Sequence, residues 1–269
     1  MRHPRISVSA ISTWSWSIED DLAFYARDGI DQVGISLRKL DVTGYDKGAR
    51  LVADAGVRVT NLLGLGPFTL SDPGRWPAQQ QRLMAALDTA QAIGAECLIL
   101  TTGPAGQLSW EDAADALESA MAPVLAEALR RGVPFALEHT HALRSDVGFV
   151  HSLRDAIDLA RRLGIGVCME INACWTERGL ADTIRTSVDD LRLVQVSDYV
   201  IGTTTTPDRT VPGDGDIPLA RIVSLLEAAG YRGCYDLELI GPRIESEGYE
   251  SAVPRAVDAL ADLLAQVGA

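Results

Sequence analysis

The stretch LRLVQVSDY, residues 191–199, has the composition of a buried strand, yet it carries Gln195 in its middle and Asp198 near its end. Burying an unpaired polar group costs roughly 2–7 kcal/mol, so these side chains need partners inside the fold. Three other strand-like runs place an acid at a similar point: Glu138 in FALEHTH (135–141), Glu170 in VCMEIN (167–172) and Glu238 in YDLELIG (235–241).

The alternation of residues in these four runs predicts that their polar side chains share one face. Successive side chains of a strand point to opposite sides of the sheet. One parity is entirely apolar: Phe135 and Leu137; Val167, Met169 and Ile171; Val194 and Val196; Tyr235, Leu237 and Leu239. The other parity holds Glu138, Glu170, Gln195 and Glu238. We therefore predict that these four side chains point together into a shared interior, while the apolar face packs against helices.

Short apolar runs alternate with longer amphipathic segments along the chain. The apolar runs predict strands at 6–13, 32–37, 57–64, 97–103, 133–139, 166–171, 191–198 and 233–241. The amphipathic segments predict helices at 17–28, 44–55, 76–93, 110–130, 151–163, 178–187, 217–229 and 249–266. This alternation, without a break in composition, favours a single-domain α/β fold, a (β/α)8 TIM barrel over residues 1–269. An open doubly wound sheet is the alternative, but no Gly-rich phosphate loop follows the first strand.

Composition excludes several classes of partner. The 269 residues carry a net charge of −13, and 47% of them are hydrophobic. An acidic chain argues against nucleic acid, whose phosphates select basic surfaces, and against anionic membranes. No stretch approaches the ~20 apolar residues of a membrane span, so a soluble cytoplasmic protein is expected. The four cysteines form no CxxC pair and are expected to be buried free thiols.

Three carboxylates and an amide that converge inside a barrel cannot remain close together without neutralisation. All four lie where strands end, which is where TIM barrels carry their chemistry. A divalent cation is the simplest solution, and an all-oxygen set of ligands suits Mg²⁺ or Mn²⁺. The alternative is that each group meets its own arginine or water molecule.

The order and spacing of these motifs resemble the xylose-isomerase-like TIM barrels, a family that includes sugar-phosphate isomerases and epimerases and inosose-processing enzymes. The resemblance is strongest over residues 133–245. It is carried by LEHTH (137–141), FVHSLRDAIDLARRLG (149–164), VQVSDY (194–199), GDGDIP (213–218) and DLELIGP (236–242). It implies isomerisation or epimerisation of a small molecule through a metal-stabilised enediolate, and a homodimer is a family-level expectation.

The resemblance implies that Glu138, Glu170, Gln195 and Glu238 hold the cation. In the family these positions are Glu, Asp, His and Glu, so this chain departs from the pattern twice. Glu170 is longer by one methylene, and Gln195 offers a neutral amide oxygen in place of a histidine nitrogen. A further family histidine is Ala173 here. The loss of imidazole favours Mn²⁺, Mg²⁺ or no metal.

The implied chemistry assigns Glu138 and Glu238 to proton transfer, as acid and base beside a substrate oxygen polarised by the cation. His141, just past the fifth predicted strand, is expected to hydrogen-bond a substrate hydroxyl, with a solvated histidine at the rim as the alternative. A Schiff-base enzyme would need a buried lysine, whereas Lys39 is expected in an exposed loop. Four histidines and the negative charge argue against the DNA-repair nucleases that share this fold.

Loops that follow strands supply the candidates for substrate binding. Arg209 and Arg243 follow the seventh and eighth predicted strands and would bind a carboxylate, a phosphate or an enediolate oxygen. Asn172 is a further candidate. Trp14 and Trp175 would stack on a ligand or close the pocket, with packing beneath a loop as the alternative.

Two classes of function remain open. The first is a divalent-metal-dependent isomerase or epimerase acting on a polyhydroxylated or keto small molecule, or a related lyase or dehydratase. The second is a barrel that has lost its metal through Gln195 and Ala173, and that binds a small molecule or performs metal-free acid–base chemistry. Asp198 has the apolar parity and is expected to fix the following loop or Arg209.

Overall fold

Short strands alternate with helices along the chain, as the sequence pattern predicts. The computed structural model describes residues 3–66 and 68–269. The strands are β1 (Ile6–Ser9), β2 (Gln32–Ser36), β3 (Arg58–Leu65), β4 (Leu98–Leu100), β5 (Phe135–Glu138), β6 (Gly166–Glu170), β7 (Leu191–Val196) and β8 (Cys234–Leu237). The α-helices are α1 (Ile18–Asp28), α2 (Leu37–Thr43), α3 (Tyr45–Ala55), α4 (Trp76–Ile93), α5 (Trp110–Arg131), α6 (Leu153–Leu163), α7 (Ile171–Cys174), α8 (Leu180–Ser187), α9 (Leu219–Ala229), α10 (Pro242–Glu247) and α11 (Tyr249–Val267).

The strands close into a barrel. Each pairs in parallel with its neighbours in the chain, and β1 pairs with β8. Parallel neighbours need a crossover connection, which the helices provide. In the pairing of β6, β7 and β8, Glu170 lies opposite Gln195, and Gln195 lies opposite Asp236. The predicted TIM barrel is confirmed, and closure of β1 on β8 excludes the open sheet.

The outward face of the strands is apolar and packs against the helices. Leu137, Val167, Val194 and Leu237 all belong to the main core between barrel and helices, as the parity of the strand residues predicts. The buried residues of α6 recur at three- and four-residue intervals along one side of the helix: Leu153, Ala156, Ile157, Leu159 and Ala160. Among the described helices, none has the length and hydropathy needed to cross a membrane.

The inward face is filled by a smaller apolar cluster. It comprises Leu63, Cys97, Ile99, Ala136, Cys168, Leu193 and Cys234. All four cysteines are free and buried, as predicted. Burial raises the pKa of Cys97 to about 12, so this thiol is unreactive at neutral pH. The polar residues of the interior follow these apolar ones by two positions and therefore lie nearer the C-terminal ends of the strands.

Helix boundaries follow local sequence signals, but short helices escape them. Residues 76–93 form α4 as predicted. By contrast α2, α7 and α10 were not predicted, because they are shorter than the window in which a 3.6-residue period shows. The first strand is shorter than predicted, since Ala10–Thr13 form a 3₁₀ turn.

Lys39 is buried, so the prediction of an exposed loop is wrong. It lies in α2 and is 4% exposed. Because α2 packs near α1, the Lys39 Nζ lies 2.6 Å from Asp21 Oδ2, and it donates to the Thr13 carbonyl at 2.8 Å. Burial lowers the pKa of Lys39 and raises that of Asp21 to about 6. The ammonium is therefore part of a buried ion pair rather than a free amine for Schiff-base chemistry.

Candidate active site

Three glutamates meet at the C-terminal mouth of the barrel. Glu138 ends β5, Glu170 ends β6 and Glu238 directly follows β8. One carboxylate oxygen from each lies within 4.8 Å of the others, so the group could hold a metal ion. Glu170 and Glu238 are 2% and 7% exposed, whereas Glu138 is half-buried. The structure thus brings together three of the four predicted cation ligands.

The guanidinium of Arg209 lies among these carboxylates. Its Nη1 lies 2.7 Å from Glu170 Oε2. The same nitrogen donates to Glu238 twice, to the carboxylate and, at 3.1 Å, to the backbone carbonyl. The Arg209 side chain is only 14% exposed, which limits screening by water. One arginine therefore bridges the ends of β6 and β8 and offsets part of the negative charge.

Burial and the neighbouring acids raise the pKa values of two of the three glutamates. Burial raises the pKa of Glu138 well above its usual value, and the charges of Glu238 and Glu170 raise it further. Burial also raises the pKa of Glu170 to about 8, against the attraction of Arg209. Burial alone would lower the pKa of Arg209, but the three glutamates raise it above its usual value. The site therefore combines a permanent cation with two carboxyl groups, Glu138 and Glu170, whose pKa values lie above their ordinary range.

The loop that carries Arg209 is fixed by Asp198. The backbones of Asp198 and Thr210 exchange two hydrogen bonds of 2.9 Å. The Asp198 carboxylate also accepts from the backbone N–H groups of Gly213 at 2.9 Å and Ile217 at 3.0 Å. The expectation that Asp198 fixes the loop after the seventh strand is confirmed.

Gly241 lets this loop lie directly against the chain leaving β8. Its φ is 129°, and an added Cβ would come within 2.6 Å of Asp208 Cα and Pro207 O. Beside it, the backbone N–H of Arg209 donates to the carbonyl of Ile240 at 3.0 Å. Only glycine permits both this dihedral angle and this approach. The close packing holds the Arg209 backbone next to Glu238.

Asp198→Ala is expected to lower the free energy of unfolding by about 2–3 kcal/mol, because the backbone donors of Gly213 and Ile217, the second of them buried, lose a charged acceptor. Urea unfolding measures the loss. Asp216→Ala is the matched control, since Asp216 is exposed and water can replace it as acceptor for the Ile201 N–H. Equally small losses in the two variants would contradict the role given to Asp198.

Gln195 lies in the interior with an unpaired amide. It is 1% exposed, and within residues 3–66 and 68–269 neither its Oε1 nor its Nε2 has a hydrogen-bond partner. Buried amides nearly always have partners. Its place in the register, between Glu170 and Asp236, puts this amide beside the glutamate group.

Beneath the glutamates lies a second polar layer that sequence reasoning did not assign. Asp236 is fully buried and accepts a 3.3 Å hydrogen bond from Asn61 Nδ2. Nearby, the hydroxyls of Ser7 and Thr60 hydrogen-bond at 2.7 Å. Burial raises the pKa of Asp236 to about 7. The parity that Asp236 shares with Glu238 was the signal for this layer.

His139 is another site residue that sequence reasoning missed. It is fully buried, and its Nε2 accepts a 3.2 Å hydrogen bond from the backbone N–H of Glu170. Burial lowers its pKa to about 3, so the ring is neutral and can accept this bond. The histidine thereby ties the end of β5 to the end of β6. In the sequence, only the position of His139 next to Glu138 indicated that it lies near the site.

The predicted polar binding residues make different contacts. Asn172 is buried, and its backbone N–H donates to Glu170 Oε1 at 2.9 Å. His141 is half-buried, and its Nδ1 accepts from the Leu143 N–H at 3.2 Å. Arg243 is exposed in α10, and its Nε lies 3.3 Å from Asp208 Oδ2. Its role as a ligand for substrate stays a prediction, as do those of Asn172 and His141.

The two predicted tryptophans lie in different surroundings. Trp14 is 38% exposed, with the Arg38 guanidinium 4.3 Å from the centre of its ring. Trp175 is half-buried and packs against the main core beside α7. One face of the Trp14 ring is therefore covered by an arginine, and Trp175 packs on the core at the end of α7.

A known protein family matches most of this chain. The model of the xylose isomerase-like TIM barrel family matches residues 22–263. The chain belongs to the xylose isomerase-like TIM barrel family. The family-level resemblance seen over residues 133–245 is thereby confirmed and extends over the N-terminal half as well. No curated protein matches the sequence.

Solved structures share the fold of this xylose isomerase-like barrel. Protein SMc04130 from Sinorhizobium meliloti is 22% identical, with 98% of each chain covered and a TM-score of 0.84. The IolI protein, solved with a bound zinc atom, is 17% identical, with 99% of each chain covered and a TM-score of 0.84. The 3-keto-D-glucoside 4-epimerase YcjR from E. coli, in its apo form, is 18% identical over 97% of this chain and 99% of its own, with a TM-score of 0.73. At these identities the likeness shows the fold alone.

The donor set of this family member suits a hard divalent cation. Glu138, Glu170 and Glu238 supply clustered carboxylate oxygens, and Gln195 supplies an unpaired buried amide. Oxygen donors of this kind match Mg²⁺ and Mn²⁺ better than softer metals. Arg209 already contacts two of the three acids, so the carboxylates also have a cationic partner within the chain.

Proposed function

We propose that this xylose isomerase-like barrel is an enzyme that moves a proton on a carbon next to a carbonyl or hydroxyl group. Its substrate is a polyhydroxylated or keto small molecule, and the reaction is an isomerisation or epimerisation. The observation that carries the proposal is the meeting of three glutamates with one arginine at the barrel mouth. TIM barrel enzymes place their chemistry at this end, and the 3-keto-glucoside epimerase of the same fold supports the class of substrate.

Glu138 and Glu238 form the proton-transfer pair in this proposal. Glu138, whose raised pKa favours the protonated form, acts as the acid. Glu238 accepts a hydrogen bond from Arg209 and acts as the base. The two carboxylates have oxygens within 4.8 Å of each other, so one substrate carbon and its oxygen can lie next to both. Arg209 donates toward the negative charge that develops on that oxygen.

We further propose that Mn²⁺ or Mg²⁺ is held by Glu138, Glu170, Gln195 and Glu238. When bound, such a cation would polarise the substrate oxygen and acidify the adjacent C–H bond. Asn172 orients Glu170 by donating its backbone N–H to Oε1, which leaves Oε2 to face the site.

Proton transfer of this kind exchanges hydrogen with solvent. In D₂O, the protein should introduce one deuterium into members of a panel of keto and polyhydroxylated compounds, as measured by mass spectrometry. Treatment with EDTA should slow the exchange by at least about tenfold, and Mn²⁺ should restore it.

Two outcomes would count against parts of this proposal. Absence of exchange across the panel, with Mn²⁺ and with Mg²⁺, would contradict the proton-transfer function. Exchange that EDTA leaves unchanged, in protein shown to be metal-free by elemental analysis, would remove the cation and leave metal-free chemistry by the same acids.

A further inference from the structure

Arg209 contacts the same carboxylates that a divalent cation would need. A single nitrogen, Nη1, lies 2.7 Å from Glu170 Oε2 and also donates to the carboxylate of Glu238. The acid oxygens of the group lie within 4.8 Å of one another. The guanidinium thus lies between two of the three acids.

The arginine is held in this place by more than its charge. Its backbone N–H donates to Ile240, and its Nη1 donates to the backbone carbonyl of Glu238 at 3.1 Å. The segment before it packs on Gly241, where no side chain fits. On the far side, Thr210 pairs with Asp198. The backbone contacts of Arg209 and Thr210 do not involve the carboxylates, so a cation that enters the site displaces the guanidinium while the backbone of Arg209 stays close to the acids.

Electrostatics makes joint occupancy unfavourable. Two cations at contact distance repel strongly in a site with little water. Each carboxylate oxygen that accepts from Arg209 also has fewer lone pairs free to bind a metal. Gln195 can supply an amide oxygen, but it carries no negative charge to offset this repulsion.

We propose that Arg209 and a divalent cation bind the Glu170–Glu238 pair in a mutually exclusive way, so that the arginine is a built-in competitor that lowers the affinity of the site for metal; this rests on the cation site of the proposed function. The arginine neutralises the acids in the metal-free protein. Metal enters only when the guanidinium leaves both carboxylates.

Titration of MnCl₂ into chelator-treated protein tests the competition without any substrate, with free Mn²⁺ followed by electron paramagnetic resonance. Arg209→Met should bind one Mn²⁺ at least about tenfold more tightly than the unmodified protein. Its Tm should be lower than that of the unmodified protein without metal, and Mn²⁺ should raise it by more. Adding Glu170→Gln to the same variant should abolish the gain in affinity.

Two further variants make the result specific. Arg209→Lys keeps the charge on a shorter, single-point donor. Its affinity for Mn²⁺ should lie between those of Arg209→Met and the unmodified protein. If Arg209→Met does not fold, the affinity of Arg209→Lys tests the competition. Arg255→Met removes ion pairs of 2.7 Å with Asp214 of the same loop and with Glu247, and it leaves Glu138, Glu170 and Glu238 unchanged. The affinity should therefore stay the same.

Affinities of Arg209→Met and Arg209→Lys equal to or weaker than that of the unmodified protein would overturn the competition. Because the titration contains no substrate, a failure of deuterium exchange does not affect its outcome. Conversely, a result that contradicts the competition would not affect the deuterium-exchange test of proton transfer.

Discussion

Glu138→Gln is expected to lower turnover by about 10²–10⁴-fold while leaving the barrel folded, and Glu238→Gln should do the same. The amide keeps the size of the side chain but can neither hold nor accept the transferred proton. Both positions lie at the open end of the barrel, above the apolar cluster that fills its interior, so packing is preserved. Rates of deuterium exchange measure turnover, and thermal unfolding confirms the fold.

The control is Glu111→Gln, which changes an exposed glutamate in the first turn of α5 and should leave exchange unaffected. Near-normal exchange in either Glu138→Gln or Glu238→Gln would remove that residue from the proton-transfer pair. Loss of exchange together with loss of cooperative unfolding would show instead that the acid is needed for folding, and would also contradict the prediction.

Asp21→Asn is expected to lower the free energy of unfolding by about 3–5 kcal/mol, because it leaves the ammonium of Lys39 buried without a counter-charge. The two side chains are 0% and 3% exposed, and the Nζ–Oδ2 distance is 2.6 Å. The Thr13 hydroxyl, which donates to Asp21 at 2.7 Å, loses its ionised acceptor as well. Urea unfolding at neutral pH gives the change.

The chain supplies a matched comparison for this pair. Lys47 and Glu19 form an ion pair of the same length, 2.6 Å, but are 60% and 40% exposed. Glu19→Gln should therefore have little effect on stability, since water solvates the lysine that remains. The combined change Asp21→Leu with Lys39→Met should recover part of the stability lost in Asp21→Asn. Equal effects of Asp21→Asn and Glu19→Gln would show that burial of the Lys39–Asp21 pair does not determine its contribution to stability.

Much of the fold and part of the site could be predicted from residue patterns. Burial on one side of a strand imposes a two-residue period, and this places Glu138, Glu170 and Gln195 inside the barrel. Helices longer than about two turns show their own period, which is why α4 was predicted residue for residue. The short helices α2 and α7 carry no such signal.

The parts that could not be predicted depend on which loops meet. Arg209 was predicted to bind substrate, but nothing in its neighbours along the chain indicates that it contacts Glu170 and Glu238. Lys39 was misplaced because its partner Asp21 lies on a different helix. Charge pairing across elements depends on packing, and the order of residues along one element does not encode it.

The sequence by itself determined the barrel and the inward direction of its glutamates, because periodic burial is a local property that each strand expresses alone. Only the tertiary structure decided what neutralises those glutamates. Closure of β8 against the loop held by Asp198 and Gly241 brings the guanidinium of Arg209 into the group of acids. Electrostatic energy depends on distances between charges, and those distances exist only once the eight strands have closed.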